Sequence, residues 1–235
     1  IFISGSGGIS SGASNVGINA GANAVSVRQL TNSRSINLGG ADSATELGLT
    51  DAELDRITAG TINIGNSNSG LISVTGVISP ANYKTLSAQN SVAFTSTGGF
   101  DSDVASLTVF EKMLAAGAVS IDPAAALTAT AIGGFVPAHG NSFTMIENTT
   151  GSGTTGTFAG KPEGGSLTLG GVNAFITYAG GTGANDVVIN VDNLAPKVTS
   201  TTPAQAAVGV ATNSNVTLNF SEAVNIAAGG ITGDC

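Results

Sequence analysis

Along the first hundred residues, apolar side chains alternate with small polar ones in short runs: Ile1 and Ile3, then Val16, Ile18 and Ala20, then Val25 and Val27, then Ile36 and Leu38. A period of two places every second side chain on one face, so each run predicts a half-buried strand. Three runs share a tetrapeptide, INAG at 18–21, INLG at 36–39 and INIG at 62–65; the first two start 18 residues apart and the third 26 residues later. A second pair follows in the same order, VSV at 25–27 after INAG and ISV at 72–74 after INIG. A repeat of roughly 20 residues with two or three strands predicts a right-handed parallel β-helix, in which one coil buries its apolar face only when the next stacks on it. Ile, Val, Leu and Ala would point inward, Asn, Ser and Thr would form outward ladders, and Gly with Asn would serve the corners.

Residues 47–78, LGLTDAELDRITAGTINIGNSNSGLISVTGVI, hold one such repeat and its main irregularity. Thr50 followed by Glu53 matches a capping box, and Leu54 with Ile57 forms an apolar edge at helical spacing, so TDAELDRI predicts a helix of one or two turns. A helix that short is unstable alone and must dock that edge on the coil. It also accounts for the roughly eight residues by which the third tetrapeptide lags. From Thr58 the period returns to two, with Ile62, Ile64, Ile72, Val74 and Ile78 as the inward set. Val92 and Phe94 continue the ladder. Residues 100–117 fit either a helix through Leu107, Phe110 and Leu114 or two strands around a loop, and their β flanks favour strands. Further strands are expected at 127–132, 142–146, 166–169, 174–178 and 186–191. The turn-rich GSGTTGTFAG and KPEGGS among them predict antiparallel hairpins that close the open end of the ladder.

DNLAP at 192–196 interrupts the pattern, because Pro196 cannot donate to a ladder. Beyond it, Val198, Val208, Val210, Val216, Leu218 and Phe220 are inward candidates of a β-sandwich. About 40 residues of it are present, against about 100 in a typical sandwich, so its remaining strands are expected past Cys235. The chain is therefore expected to be all-β: β-helix repeats over 1–132, a capping module over 133–191, a linker over 192–196 and the start of an Ig-like domain over 197–235.

Composition narrows the partners. Only 9% of residues are charged, 41% are apolar and Gly numbers 34, a balance that favours strands and tight turns over long helices or disorder. A net charge of −8, with seven scattered Lys and Arg, opposes attraction to nucleic acid or anionic lipid. No apolar run approaches the roughly 20 residues that span a bilayer. The single cysteine, Cys235, allows no internal disulfide. The chain opens at Ile1 inside a β-like run without a signal peptide, as a mature chain or an internal fragment would.

Three resemblances follow from these motifs. Residues 16–78, with INAG, INLG, LGLTDAELDRITAGTINIG and ISVTG, resemble repeats of large bacterial surface proteins of the filamentous-haemagglutinin or autotransporter-passenger type. Residues 133–191, with GGFVPAHGNSFTMIEN, GTFAGKPEG and FITYAGGTGANDVVI, resemble a β-module that follows such repeats. From Ala195, APKVTSTTPAQAAVGVATNSNVTLNFSEAV is similar to bacterial Ig-like domains. The resemblance implies an extracellular stalk or adhesin, secreted or at the cell surface, and no shared catalytic site.

The candidate chemistry is sparse. His139, the only histidine, sits between Ala138 and Gly140 without visible triad or zinc partners, and reads as a surface turn residue. Asp51, Glu53 and Asp55 read as charges that favour a helix start, and Asp101 with Asp103 as a pair flanking a turn. Either set could supply paired acids for glycoside cleavage, with Arg56 the only nearby base. GGTGAND at 180–186 is similar to a calcium-binding glycine repeat but has one residue too many before its acid, and reads as a hairpin turn. Asp192 and Asn193, with Glu222, could offer oxygens to calcium at the domain junction; no other cofactor is expected. Thr95–Thr97 and Thr128–Thr130 are Thr-x-Thr pairs too far apart for an ice-binding array. The expected function is a noncatalytic stalk, adhesin or filament subunit that contacts glycans, other surface molecules or itself end to end. A polysaccharide lyase or glycoside hydrolase on the same scaffold is the alternative.

Overall fold

A computed structural model describes residues 2–5, 17–192 and 197–220. The chain divides into two compact units, Ile1–Asn193 and Leu194–Cys235. The first begins with Phe2–Gly5 (β1), Ile18–Asn19 (β2), Ala24–Gln29 (β3) and Ser35–Leu38 (β4), then Glu46–Leu49 (β5), one helical turn Asp51–Leu54 (α1) and Ile57–Thr58 (β6). Rungs of three strands follow: Thr61–Ile64 (β7), Ile72–Val74 (β8) and Val77–Ile78 (β9); Thr85–Ala88 (β10), Val92–Phe94 (β11) and Gly99–Val104 (β12); Lys112–Ala115 (β13), Val119–Ile121 (β14) and Ala126–Ala131 (β15). Ser142–Asn148 (β16) and Thr154–Thr155 (β17) start another rung, and Ser166–Leu169 (β18), Val172–Gly180 (β19) and Asp186–Val191 (β20) complete the unit. The described residues are all-β apart from α1.

Strands that hold the same place in successive rungs lie side by side and parallel. The first strands run in the order β1, β3, β7, β10, β13, β16; the second β4, β8, β11, β14, β17; the third β9, β12, β15. Each rung therefore finds its backbone hydrogen-bond partners in its neighbours about 4.8 Å away, and period-two alternation turns the same side chains inward on every rung. Val25, Ile62, Leu86, Met113 and Ile146 form one in-register column. Ile36, Ile72, Val92 and Val119 form a second, and Ile78, Phe100 and Leu127 a third. All twelve are buried. Each contributes roughly 1.5–3 kcal/mol relative to an exposed position.

The largest sheet is mixed. Beyond β16 it continues antiparallel through β20, β19 and β18, with hairpins joining the last three strands. These strands cover the edge that the last rung would leave open. Tyr178 locks them to the loop before β18: its hydroxyl donates to the Lys161 carbonyl at 2.7 Å and accepts from Phe158 N–H at 2.9 Å, while Phe158 packs edge-on against Phe94 at 5.2 Å.

Several expectations need correction. The three INxG tetrapeptides do not share one place in the repeat. Ile18–Asn19 pairs with Ile57–Thr58, Ile36 belongs to the second column and Ile62 to the first. VSV pairs with INIG, and INLG with ISV, so Ser26 and its register partner Asn63 are 37 residues apart. The tetrapeptide encodes only inward, outward, inward, Gly, which fits a strand on any flank. The insertion that lengthens this first rung is accordingly larger than eight residues, since it holds β5, parallel to β4, as well as α1. Glu53 does reach back as predicted, accepting from both Thr50 N–H and the Thr50 hydroxyl at 2.9 Å, and Leu54 and Ile57 are buried. Residues 100–117 form β12 and β13 around a loop. Asp101 and Asp103 lie within β12 rather than beside a turn, because Phe100, Ser102 and Val104 take its inward face. Ile1 and Val16 lie outside the described residues.

In the second unit, Val198–Thr202 (β21) pairs antiparallel with Thr217–Phe220 (β22). Val198, Val208, Val210 and Val216, expected to face inward, are exposed, and Leu218 and Phe220 are half-buried. Among the described residues of this unit no second sheet covers them.

Ile62 touches a neighbouring rung on both sides, so Ile62→Ala should lower the stability of the first unit by about 2–5 kcal/mol in urea unfolding. A loss under about 0.5 kcal/mol, usual for surface sites, would contradict its place in the column.

Candidate functional site

The fold gathers acids that are far apart in sequence. Asp51 opens α1, Asp55 is its C-cap residue and Asp101 points outward from β12. The chain after β9 runs between them. Ser79 N–H donates to Asp51 Oδ1 at 2.9 Å and its hydroxyl to Asp101 Oδ2 at 3.4 Å; Ala81 N–H donates to Asp55 Oδ1 at 3.0 Å, and the Asn82 amide to the Asp55 carbonyl at 2.6 Å. Burial raises the Asp51 carboxyl above its usual range; the Ser79 N–H opposes this, and the Asp55 and Asp101 charges add to it. Tyr83, fully buried beside them, has its phenol pushed well above the normal range by burial and then by Asp51, Asp55 and Glu111.

Glu111 was missed in the sequence although the signal was present. Counting back by two from the inward Ala115 and Met113 places it on the inward side of the chain. It is buried, with Oε1 on Lys84 Nζ at 2.5 Å, Oε2 accepting from Asp103 N–H, and its carbonyl accepting from the Ser102 hydroxyl at 2.7 Å. These contacts offset the cost of burying its polar oxygens.

Among the described residues no ion pair neutralises Asp51, Asp55 or Asp101, Arg56 is exposed, and no group of three or more His, Cys, Asp or Glu is arranged to hold a metal ion. Asp51 and Asp55 act as acceptors that tie the helical insertion to the next rung.

A second polar cluster lies where the last rung meets the antiparallel strands. The turn at 181–185 between β19 and β20 includes Gly181, whose φ of 68° and missing Cβ leave room for Asp186 Oδ2, which would sit 1.9 Å from a Cβ there. Asp186 Oδ1 accepts from Asn148 N–H at 2.8 Å, and the Asn185 amide donates to the Thr150 and Ser152 carbonyls at 2.7 and 2.8 Å. Burial raises the Asp186 carboxyl, against the Asn148 N–H. Glu147 and Asp186 line a cavity of about 310 Å³, and Glu147 pairs with Lys112 at 2.8 Å.

The remaining candidates are dispersed. His139 lies in a turn with Nδ1 3.2 Å from Asp192 Oδ1, so the carboxylate offered to calcium faces an imidazole; Asn193 and Glu222 lie outside the described residues. Thr95 and Thr97 donate to the Val74 and Thr75 carbonyls, whereas Thr128 and Thr130 lie in β15 beside Asp101 and Asp103, so the Thr pairs form no common row.

The family model of the bacterial Ig-like domain matches residues 192–232, a span that takes in both described strands of the second unit. No curated protein and no solved structure matches the chain. No helix of the described residues is long and apolar enough to cross a membrane.

The raised Asp51 carboxyl fixes the sign of a pH effect. The folded chain holds this proton more tightly than the unfolded chain, so the resulting stability is present below the ordinary carboxylate range and is lost as pH rises through the raised value. Asp51→Asn keeps an oxygen for Ser79 N–H and removes the charge. It should raise the thermal midpoint at about pH 7 and leave it unchanged at about pH 3, where the carboxyl is protonated in both states. A lower midpoint at neutral pH would show that the charge itself holds the loop.

Proposed function

We propose that this chain is a noncatalytic extracellular segment of a bacterial surface protein, a stalk or adhesin in which a right-handed parallel β-helix with a hairpin cap is followed by an Ig-like domain. The observation that carries the reading is the in-register parallel pairing of three sets of strands over successive rungs. Such a stack is a repeat architecture whose stiffness comes from the continuous hydrogen-bond ladder, and its length can grow without a new fold. The Ig-like match from residue 192 supports a surface setting. Outward Ser, Asn and Thr offer a long, weakly charged flank suited to glycans or other surface molecules, and end-to-end stacking would make the same segment a filament subunit.

The enzymatic alternative draws on Glu147 and Asp186, which line one cavity, and on Lys112, which pairs with Glu147. Lys112 is paired with Glu147 and Asp186 holds the Asn148 N–H, which favours a structural role.

Purified protein should bind cells or immobilised polysaccharide and release no new reducing or unsaturated ends from it. Turnover that is lost in Glu147→Gln or Asp186→Asn would replace this reading with the enzymatic one. Failure to bind cells, glycans or itself would remove the adhesive role.

A further inference from the structure

We propose that the outward face of the antiparallel cap, centred on Phe175 of β19, is a binding platform for an uncharged polysaccharide whose pyranose rings carry equatorial substituents. The inference rests on the adhesive reading and gives it a place and a ligand class. Alternation turns Ala174 and Ile176 into the core and Phe175 outward, where it is 37% exposed. Ser166, Phe175, Asn190 and Ser142 are register partners across four strands and form one outward row. At about 4.8 Å per strand the row is about 14 Å long, a length suited to a short run of sugars. Asn173 and Thr177 lie two residues to either side of the ring on the same face of β19. A lone exposed aromatic is ordinary on a protein surface. Phe175 differs in its place within a continuous row of hydroxyl and amide groups.

Three properties of this row point to the ligand. Phe175 pairs with no other ring among the described residues. The negative π face of such a ring attracts the C–H bonds that a pyranose with equatorial hydroxyls presents on its flat side. The second property is the polar surround. Ser142 Oγ donates to Asn190 Oδ1 at 2.9 Å, which fixes that amide while its NH2 makes no hydrogen bond among the described residues. An amide held in this way offers two donors to sugar hydroxyls and loses little freedom on binding. The third is charge. The registered segments 142–144, 166–169, 172–177 and 188–190 contain no Asp, Glu, Lys or Arg, although the chain has 15 acids against seven Lys and Arg. The acids at and just past the ends of β20 face other groups, Asp186 the Asn148 N–H at 2.8 Å and Asp192 the His139 ring at 3.2 Å. An anionic or cationic polymer finds no counter-charge in this row, whereas a neutral one needs none.

The test is biolayer interferometry of the full 235-residue chain against immobilised cellohexaose, chitohexaose and the anionic hexagalacturonate. The wild type should bind at least one neutral oligomer more tightly than hexagalacturonate. Phe175→Ala should weaken that binding about tenfold or more, as loss of an aromatic anchor does. Phe175→Tyr, which keeps the ring, should bind as the wild type does, and so should Leu107→Ala, which removes an exposed apolar side chain from the loop between β12 and β13. Equal binding by wild type and Phe175→Ala, equal loss in Phe175→Ala and Phe175→Tyr, or no preference for a neutral oligomer would overturn the site. If the wild type attaches to cells but binds none of the three oligomers, the site falls and the adhesive reading survives; if it binds neither oligomers nor cells, both are overturned.

Discussion

Every strand in the first unit depends on its neighbours for the pairing of its backbone N–H and C=O groups. Strands of two to seven residues run from β2 to β17, and none could stand alone. The parallel ladder solves this for every rung with a neighbour on both sides. It also explains why rung length can vary: only the paired strands must match, so β5 and α1 can be inserted between β4 and β6 without disturbing the columns that contain Ile36 and Ile62. The last rung lacks a parallel successor, and β16 accepts the antiparallel β20 instead.

Polar residues inside the unit follow the same demand. Gln29 and Ser69 hold one corner, Glu111 joins Lys84 to the Asp103 N–H, and Asn185 with Asp186 secures the loop after β16. Each is a buried polar side chain whose cost is offset by hydrogen bonds to a neighbouring rung or loop. Asp51 and Asp186 pay part of that cost as raised carboxyls. Many of the acids are therefore engaged in holding the stack.

Inward and outward positions were legible in the sequence because period two is a local property. Ile62, Ile64, Ile72, Val74 and Ile78 are all buried, and the one-turn helix with its docked Leu54 edge was readable from TDAEL. Which strand pairs with which was not legible, since INAG, INLG and INIG carry the same face pattern on different flanks. The meeting of Asp51 with Asp101 through Ser79 depends on that pairing and was hidden with it. In the second unit alternation marked Val198 and Val216 as apolar strand positions, but burial needs a facing sheet, which alternation does not supply.

The rung register is tested most directly by engineered cross-links in a Cys235→Ser background. Ser26 and Asn63 are register partners on adjacent parallel strands, a spacing of about 4.8 Å that falls within the Cα range of disulfides. Asn37 and Asn63, equivalent by tetrapeptide, sit on different sheets. Under mild oxidation the Ser26→Cys, Asn63→Cys pair should close within one chain while the Asn37→Cys, Asn63→Cys pair stays reduced. Closure of the second pair and not the first would show that the tetrapeptides, rather than the columns described above, define the repeat.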